Sequence, residues 1–320
     1  MKKFVLGLLL VLTAGLFSCK QNDLNEVHIY LPDGTPALAM ASVLDKGFVY
    51  EETTTYFHLV QASEIAARIS QQDCDLAIAP MTVASTLFNK GIDIQLASVN
   101  VFGNLFIAGT RELKRLEDLK GKVVYTTVGT TIDMLKYLLE QNEIEYAFGA
   151  EAEEGKVTLS SKNDGSEIIP LLKAAANKNQ EAYGVLGEPQ VTKATQLIDN
   201  LVISFDLQEE YRKITGFDGY PQAGLVVKSE FASDHSAYLQ ALLSALLSNE
   251  TYLLENTESL PEVFKRYNSS LQAMTFTTDT IRRCNIRLEE SKNIKEEVQT
   301  YLSALTGNTV ADSFFWTVKK

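Results

Sequence analysis

At 320 residues, with 45% hydrophobic and 22% charged residues, the chain is too long for one hydrophobic core and too apolar to be disordered, so two globular lobes are expected. Eighteen Gly and seven Pro exclude fibrous and collagen-like chains. With 29 Lys and Arg against 41 Asp and Glu, the formal charge of −12 repels a phosphate backbone and argues against nucleic acid as a partner, while three Cys and three His without ligand-like spacing argue against zinc ribbons and other metal centres.

Residues 1–18 read as an export signal: Lys2 and Lys3 give a positive start, residues 4–12 form an apolar run, and Leu16-Phe17-Ser18-Cys19 closes it. The run is shorter than the roughly 20 residues needed to cross a bilayer. The stretch resembles a bacterial lipoprotein signal, with Leu16 at the upstream apolar position, Ser18 as the small residue and Cys19 as the lipid acceptor. The resemblance implies removal of residues 1–18, a lipid on Cys19, a tether over residues 19–26, and an exported protein anchored at the periplasm or cell surface. Loss of Lys2 and Lys3 takes the charge from −12 to −14. Cys74 and Cys284 then remain; a disulfide and two buried thiols are both open, the second being the commoner fate.

Residues 27–31 form an apolar strand ending at Pro32-Asp33-Gly34, and a helix follows from Pro36, with Ala37, Leu38, Met40, Ala41 and Leu44 on its inner face and Gly47 as its stop. The pattern predicts strand 53–61, helix 63–72, strand 76–79, helix 82–90 and strand 94–99. A second unit begins at Leu116-Glu117-Asp118-Leu119-Lys120-Gly121-Lys122, with strand 123–127, Gly129, helix 130–141, strand 156–160, helix 166–176 and strand 182–186. Strand 222–227 then leads into helices over 234–255, 261–267 and 292–305. Such βαβα order predicts an α/β protein whose sheets are mainly parallel and flanked by helices.

Several stretches resemble, in order and spacing, the type II periplasmic substrate-binding proteins of ABC importers, in the nitrate, sulfonate and thiamine-precursor group. They are Leu31-Pro32-Asp33-Gly34-Thr35-Pro36-Ala37, Asp75-Leu76-Ala77-Ile78-Ala79-Pro80 with Met81-Thr82-Val83-Ala84, the segment 116–122, Val128-Gly129-Thr130-Thr131 and Gly187-Glu188-Pro189. The match runs from Val27 to about Glu255; beyond Thr257 the pattern reads only as helical. The resemblance implies a two-lobe fold: residues 27–103 and 224–320 in a discontinuous first lobe, residues 104–223 in the second, and two crossover strands near 99–108 and 223–227. It also implies a solute-binding lipoprotein that captures a small ligand between its lobes as a monomer and delivers it to an ABC permease and ATPase complex.

Ligands of open α/β sheets sit beyond the carboxyl ends of strands, where helix N-termini offer unpaired N–H groups. Thr35, Pro36, Thr82, Gly129, Thr130 and Thr131 are the candidate binding residues at such ends, although helix capping is the commoner use for hydroxyls placed like those of Thr130 and Thr131. Phe102 and Tyr220 are candidates for stacking on a planar ligand or for interlobe packing, and Asn104 for hydrogen bonding or a turn. None of these loops contains Arg, whereas Glu188 stands at a strand end, so the expected ligand is neutral or weakly basic, a nitrogen heterocycle among the options, with Glu188 accepting from an amino group. His28, His58 and His235 suit packing or surface roles. No catalytic motif of the G-x-S-x-G, H-E-x-x-H, P-loop or G-x-G-x-x-G type occurs, and neither cofactor nor metal is expected. The competing readings are an enzyme on the same two-lobe fold and a surface lipoprotein used for protein contacts.

Overall fold

In the computed structural model, which describes residues 24–318, the apolar runs become strands in two separate sheets. The export signal and Cys19 lie outside the described residues. In chain order the strands are β1 (Glu26–Pro32), β2 (Val49–Tyr50), β3 (Thr53–Val60), β4 (Leu76–Pro80), β5 (Ile94–Val101), β6 (Leu105–Gly109), β7 (Lys122–Thr127), β8 (Tyr146–Phe148), β9 (Val157–Lys162), β10 (Tyr183–Gly187), β11 (Val202–Asp206), β12 (Ala223–Lys228) and β13 (Ile286–Glu290). The first sheet has the order β13-β5-β12-β4-β1-β3-β2 and the second β11-β6-β10-β7-β9-β8. The central strands β3, β1 and β4 pair in parallel, as do β8, β9, β7 and β10.

Both sheets are mixed, each built on a parallel core of strands. The returning strand β12 inserts antiparallel between β4 and β5, and β6 pairs antiparallel with β10 and β11. No single strand runs through both sheets. The chain crosses once at residues 102–104, between β5 and β6, and again at residues 216–222, between the helix Leu207–Thr215 and β12. The crossings touch: Gly103 has a φ of +83°, and a Cβ there would lie 2.6 Å from the Tyr220 ring. Only glycine fits both the backbone and the space.

Helix boundaries follow local chemistry. The helix Thr130–Gln141 begins after Gly129, whose φ of 80° disfavours a side chain, and buries Ile132, Leu135, Leu138 and Leu139 on one face. The expected helix after β1 is two short ones, Thr35–Leu38 and Ala41–Lys46, broken at Met40. The span 234–255 divides into Ser236–Leu246 and Asn249–Glu255, preceded by Ser229–Asp234. Past Thr257 the chain is not only helical, because β13 joins the edge of the first sheet beside β5.

One apolar core fills the first lobe around Ile29, Leu31, Leu225 and Phe264. Another is continuous across both lobes through Phe102, Leu105, Tyr211, Tyr220 and Tyr301. Cys74 and Cys284 are free and buried. Burial pushes the Cys74 thiol up to about 12 and raises that of Cys284 well above its ordinary value, so neither is a thiolate nucleophile at neutral pH.

Candidate functional site

Four strand ends place their following residues along one seam between the sheets. After β1, Gly34 turns the chain with a φ of 116° and Thr35 opens a helix with Pro36 in its first turn. After β4 comes the helix Met81–Asn89, carrying Thr82. After β7 come Gly129 and Thr130, with Thr131 half-buried in the same turn. After β10 comes Glu188, joined to Pro189 by a cis peptide bond.

None of the three helix-start threonines caps its own helix. Their hydroxyls reach across the seam instead. Thr35 Oγ1 donates to the Glu188 carbonyl oxygen at 2.7 Å and accepts from Asn104 Nδ2 at 2.7 Å. The Thr82 and Thr130 hydroxyls are hydrogen-bonded to each other at 3.1 Å. Asn104 Nδ2 also donates to the Glu188 carbonyl at 3.1 Å, and the Asn104 amide N–H donates to Gln222 Oε1 at 3.1 Å. This saturates the amino edge of the Asn104 side chain. Its Oδ1, buried, has no hydrogen-bond partner among the described residues.

At Glu188 the structure brings in an arginine that the candidate loops do not contain. The Glu188 side chain is wholly enclosed, and Oε1 accepts from Arg283 Nε at 2.5 Å and from Thr192 Oγ1 at 2.9 Å. Arg283 Nη2 also donates to Thr192 Oγ1 at 2.8 Å. The candidate loops do lack arginine, but the helix Thr278–Arg283 delivers one from the C-terminal region. Burial raises the pKa of Glu188, and Arg283 and Thr192 oppose that shift by stabilising the carboxylate. Oε1 is thus occupied by Arg283 and Thr192, while Oε2 accepts only from the Thr192 amide N–H at 3.4 Å.

The two aromatic candidates also differ from a ligand-stacking role. The Phe102 ring is buried under the Arg287 guanidinium, which lies 3.5 Å from its centroid. Tyr220 is fully buried, stacked on Tyr301 at 5.7 Å and 7° and edge-on to Tyr211 at 5.5 Å. Both rings pack within the two crossings between the sheets. The structure therefore gathers Thr35, Asn104 and Glu188 in one cluster and Thr82 and Thr130 in another, while Phe102 and Tyr220 support them from behind.

Sequence reasoning missed Arg283, Thr192, Thr280 and Gln222. Gln222 sits directly before β12 and was within reach of a hinge argument. Arg283 was not, since 95 residues separate it from Glu188. Among the described residues no group of three or more His, Cys, Asp or Glu is placed to hold a metal ion, and no helix is long and apolar enough to cross a membrane. The seam presents hydroxyls, amides and helix N-termini, a chemistry suited to holding a polar molecule.

No protein-family model matches the sequence, and no curated protein sequence does. Solved structures match over nearly the whole chain. An ABC transporter structure from Parabacteroides distasonis is 21% identical, covers 92% of this chain and 100% of its own, and superposes with a TM-score of 0.74. The periplasmic aliphatic sulphonate binding protein SsuA from Escherichia coli is 12% identical, with coverage of 92% and 93% and a TM-score of 0.66. The zinc-bound ligand-binding component of an ABC-type import system from Staphylococcus aureus is 12% identical, with coverage of 91% and 96% and a TM-score of 0.64. The fold is that of the type II periplasmic binding proteins. The residues just described follow the carboxyl ends of strands from both sheets.

Proposed function

We propose that this protein is the solute-binding component of an ABC import system: an exported lipoprotein, anchored through Cys19, whose lobes close on a small polar ligand and present it to a permease and ATPase. The observation that carries the reading is the convergence of four strand-end loops, two from each sheet, on one seam through the Thr82–Thr130 and Thr35–Glu188 hydrogen bonds. A binding cycle of this kind needs hinge closure and ligand contacts from both lobes, and no reactive group.

In this reading the ligand is held by Thr35, Pro36, Thr82, Asn104, Gly129, Thr130 and Thr131, with Phe102, Glu188 and Tyr220 forming the wall behind them. Glu188 and Arg283 neutralise each other, so the cleft offers dipoles and hydroxyls without net charge. That balance favours a ligand without strong charge, neutral or weakly basic, and Asn104 Oδ1 is an acceptor suited to the N–H of a nitrogen heterocycle.

Calorimetry and small-angle scattering on the mature chain, with pyrimidine, amine and sulfonate panels, test this. The expected result is saturable binding of an uncharged or weakly basic member with compaction of the protein. Chemical turnover of the bound compound, or saturation with unchanged dimensions, would reject it.

A further inference from the structure

The segment 278–287 belongs to the first lobe by its backbone and to the second by its side chains. Its strand β13 is hydrogen-bonded to β5, and the helix Thr278–Arg283 leads into it. From this platform Arg283 reaches Glu188, just after β10, and Thr192, in the following second-lobe helix Gln190–Leu197. Thr280 Oγ1 lies 3.4 Å from Thr192 Oγ1. Asn285 Nδ2 donates to the Phe102 carbonyl at 2.6 Å and also to Gln208 Oε1, at the start of the second-lobe helix Leu207–Thr215. Arg287 lies over Phe102 and donates to the Asp218 carbonyl in the second crossing at 2.6 Å.

We propose that the segment 278–287 is an interlobe latch, with the Arg283–Glu188 ion pair as its catch, and that it sets the balance between closed and open lobes. The inference rests on the two-lobe hinge reading above. Its physical basis is asymmetry of burial: the Glu188 side chain is 0% exposed and that of Arg283 34%. Arg283 of the first lobe covers the carboxylate, Thr280 meets Thr192 beside it and Thr35 bonds the Glu188 main-chain carbonyl, so separation of the lobes returns the carboxylate to water. While the lobes are together, Arg283 is the only cation bonded to it among the described residues. Removing Arg283 leaves an enclosed carboxylate without its counter-charge, which favours opening. Neutralising Glu188 leaves an arginine already one-third exposed, which costs the closed state less. A latch of this construction predicts that Arg283→Met opens the protein more than Glu188→Gln does.

The test is single-molecule energy transfer between dyes on Val49→Cys in the first lobe and Phe148→Cys in the second. Both sites are exposed, at 81% and 65%, the native Cys74 and Cys284 are buried, and a Cys19→Ser background leaves no other thiol. Arg283→Met should raise the open-to-closed ratio about tenfold or more, with Glu188→Gln below it. Arg283→Lys retains the charge, loses the guanidinium fork, and should fall between wild type and Arg283→Met. Near-ultraviolet circular dichroism identifies folded variants, and if Arg283→Met fails to fold, Arg283→Lys and Thr192→Val carry the comparison. Two interconverting distances that no latch variant redistributes would overturn the latch and leave the hinge reading standing. A single distance unchanged in every folded variant would remove the hinge reading and the latch with it.

Discussion

Thr82 and Thr130 each stand at the start of a helix, in different lobes and 48 residues apart in sequence, and their hydroxyls meet at 3.1 Å. The helices Met81–Asn89 and Thr130–Gln141 thus aim their N-terminal ends at the same seam. Two positive dipole ends repel unless polar or negative groups lie between them. The paired hydroxyls supply part of that need, and a polar ligand would supply the rest.

Removing either hydroxyl should therefore be felt by the other. Thr130→Val is expected to cost about 1 kcal/mol of stability, as is Thr82→Val. The double variant should lose clearly less than the two single losses added together, because one interaction is removed once. Chemical denaturation of the four proteins measures the coupling directly.

Gly103 and Gly34 both have positive φ, and comparing them separates backbone strain from crowding. A Cβ on Gly103 meets the Tyr220 ring at 2.6 Å, whereas one on Gly34 has no heavy atom within 4 Å. Gly34→Ala should cost about 1–2 kcal/mol through its backbone alone. Gly103→Ala adds overpacking against a buried ring and should cost about 2–4 kcal/mol. Thermal unfolding of the pair reports the difference.

The elements that could be read from the sequence are those whose own residues carry a period. Helix 130–141 is found at its expected bounds, because Gly129 marks its start and Ile132, Leu135, Leu138 and Leu139 mark its buried face. The cores of β1, β4 and β12 were legible as continuous apolar runs buried on both sides. Edge strands were not. In β13 only Ile286 is buried and Arg287, Glu289 and Glu290 dominate, a composition that reads as helix or loop until β5 is beside it. β8 has three residues, and β11 pairs with β6 through an irregularity. The site divides in the same way. Thr35, Thr82, Thr130 and Glu188 announce themselves by following strands, whereas Arg283 acquires its meaning only from a partner 95 residues away.

Tyr220 and Tyr301 distinguish the worth of a ring from that of its hydroxyl. Both rings are fully buried; the Tyr220 hydroxyl faces the backbone N–H groups of Asn104 and Leu105, whereas the Tyr301 hydroxyl has no hydrogen-bond partner among the described residues. Burial raises both phenol pKa values far above the ordinary value near 10, so both are neutral at any working pH. Tyr301→Phe should leave stability unchanged or slightly raised, since it removes a buried polar atom without breaking a bond. Tyr301→Ala should cost about 3–5 kcal/mol by opening a cavity beneath Tyr211 and Tyr220. Equilibrium denaturation in guanidinium separates the two outcomes.

Cys19→Ser tests the proposed anchor without touching the fold. With the acceptor thiol gone, the protein should leave the membrane fraction and lose incorporation of labelled fatty acid, while its thermal midpoint stays that of wild type. Retention at the membrane without lipid would reject the anchor.

His58 gives the stability curve a predictable slope. It lies in β3, stacked on Tyr30 at a ring distance of 4.6 Å, with Nε2 only 2.9 Å from Nδ1 of His28 in β1. Asp73 and Arg68 are the other charged groups bearing on it, and they act in opposite directions. Loss of solvation, followed by repulsion from His28, lowers its pKa below the ordinary 6.5. The folded protein thus prefers the neutral ring, while the unfolded chain takes up a proton as pH falls through about 6.5. The contribution is complete above that pH and declines below it until the folded-state pKa is passed. His58→Gln retains a polar group able to reach His28 and cannot titrate. The wild-type midpoint temperature should fall between pH 7 and pH 5, and the variant's should fall less. Asp75 and Glu188, whose pKa values burial raises, titrate in both proteins and cancel in the difference. Parallel curves across that range would show that the histidine pair carries no proton linkage.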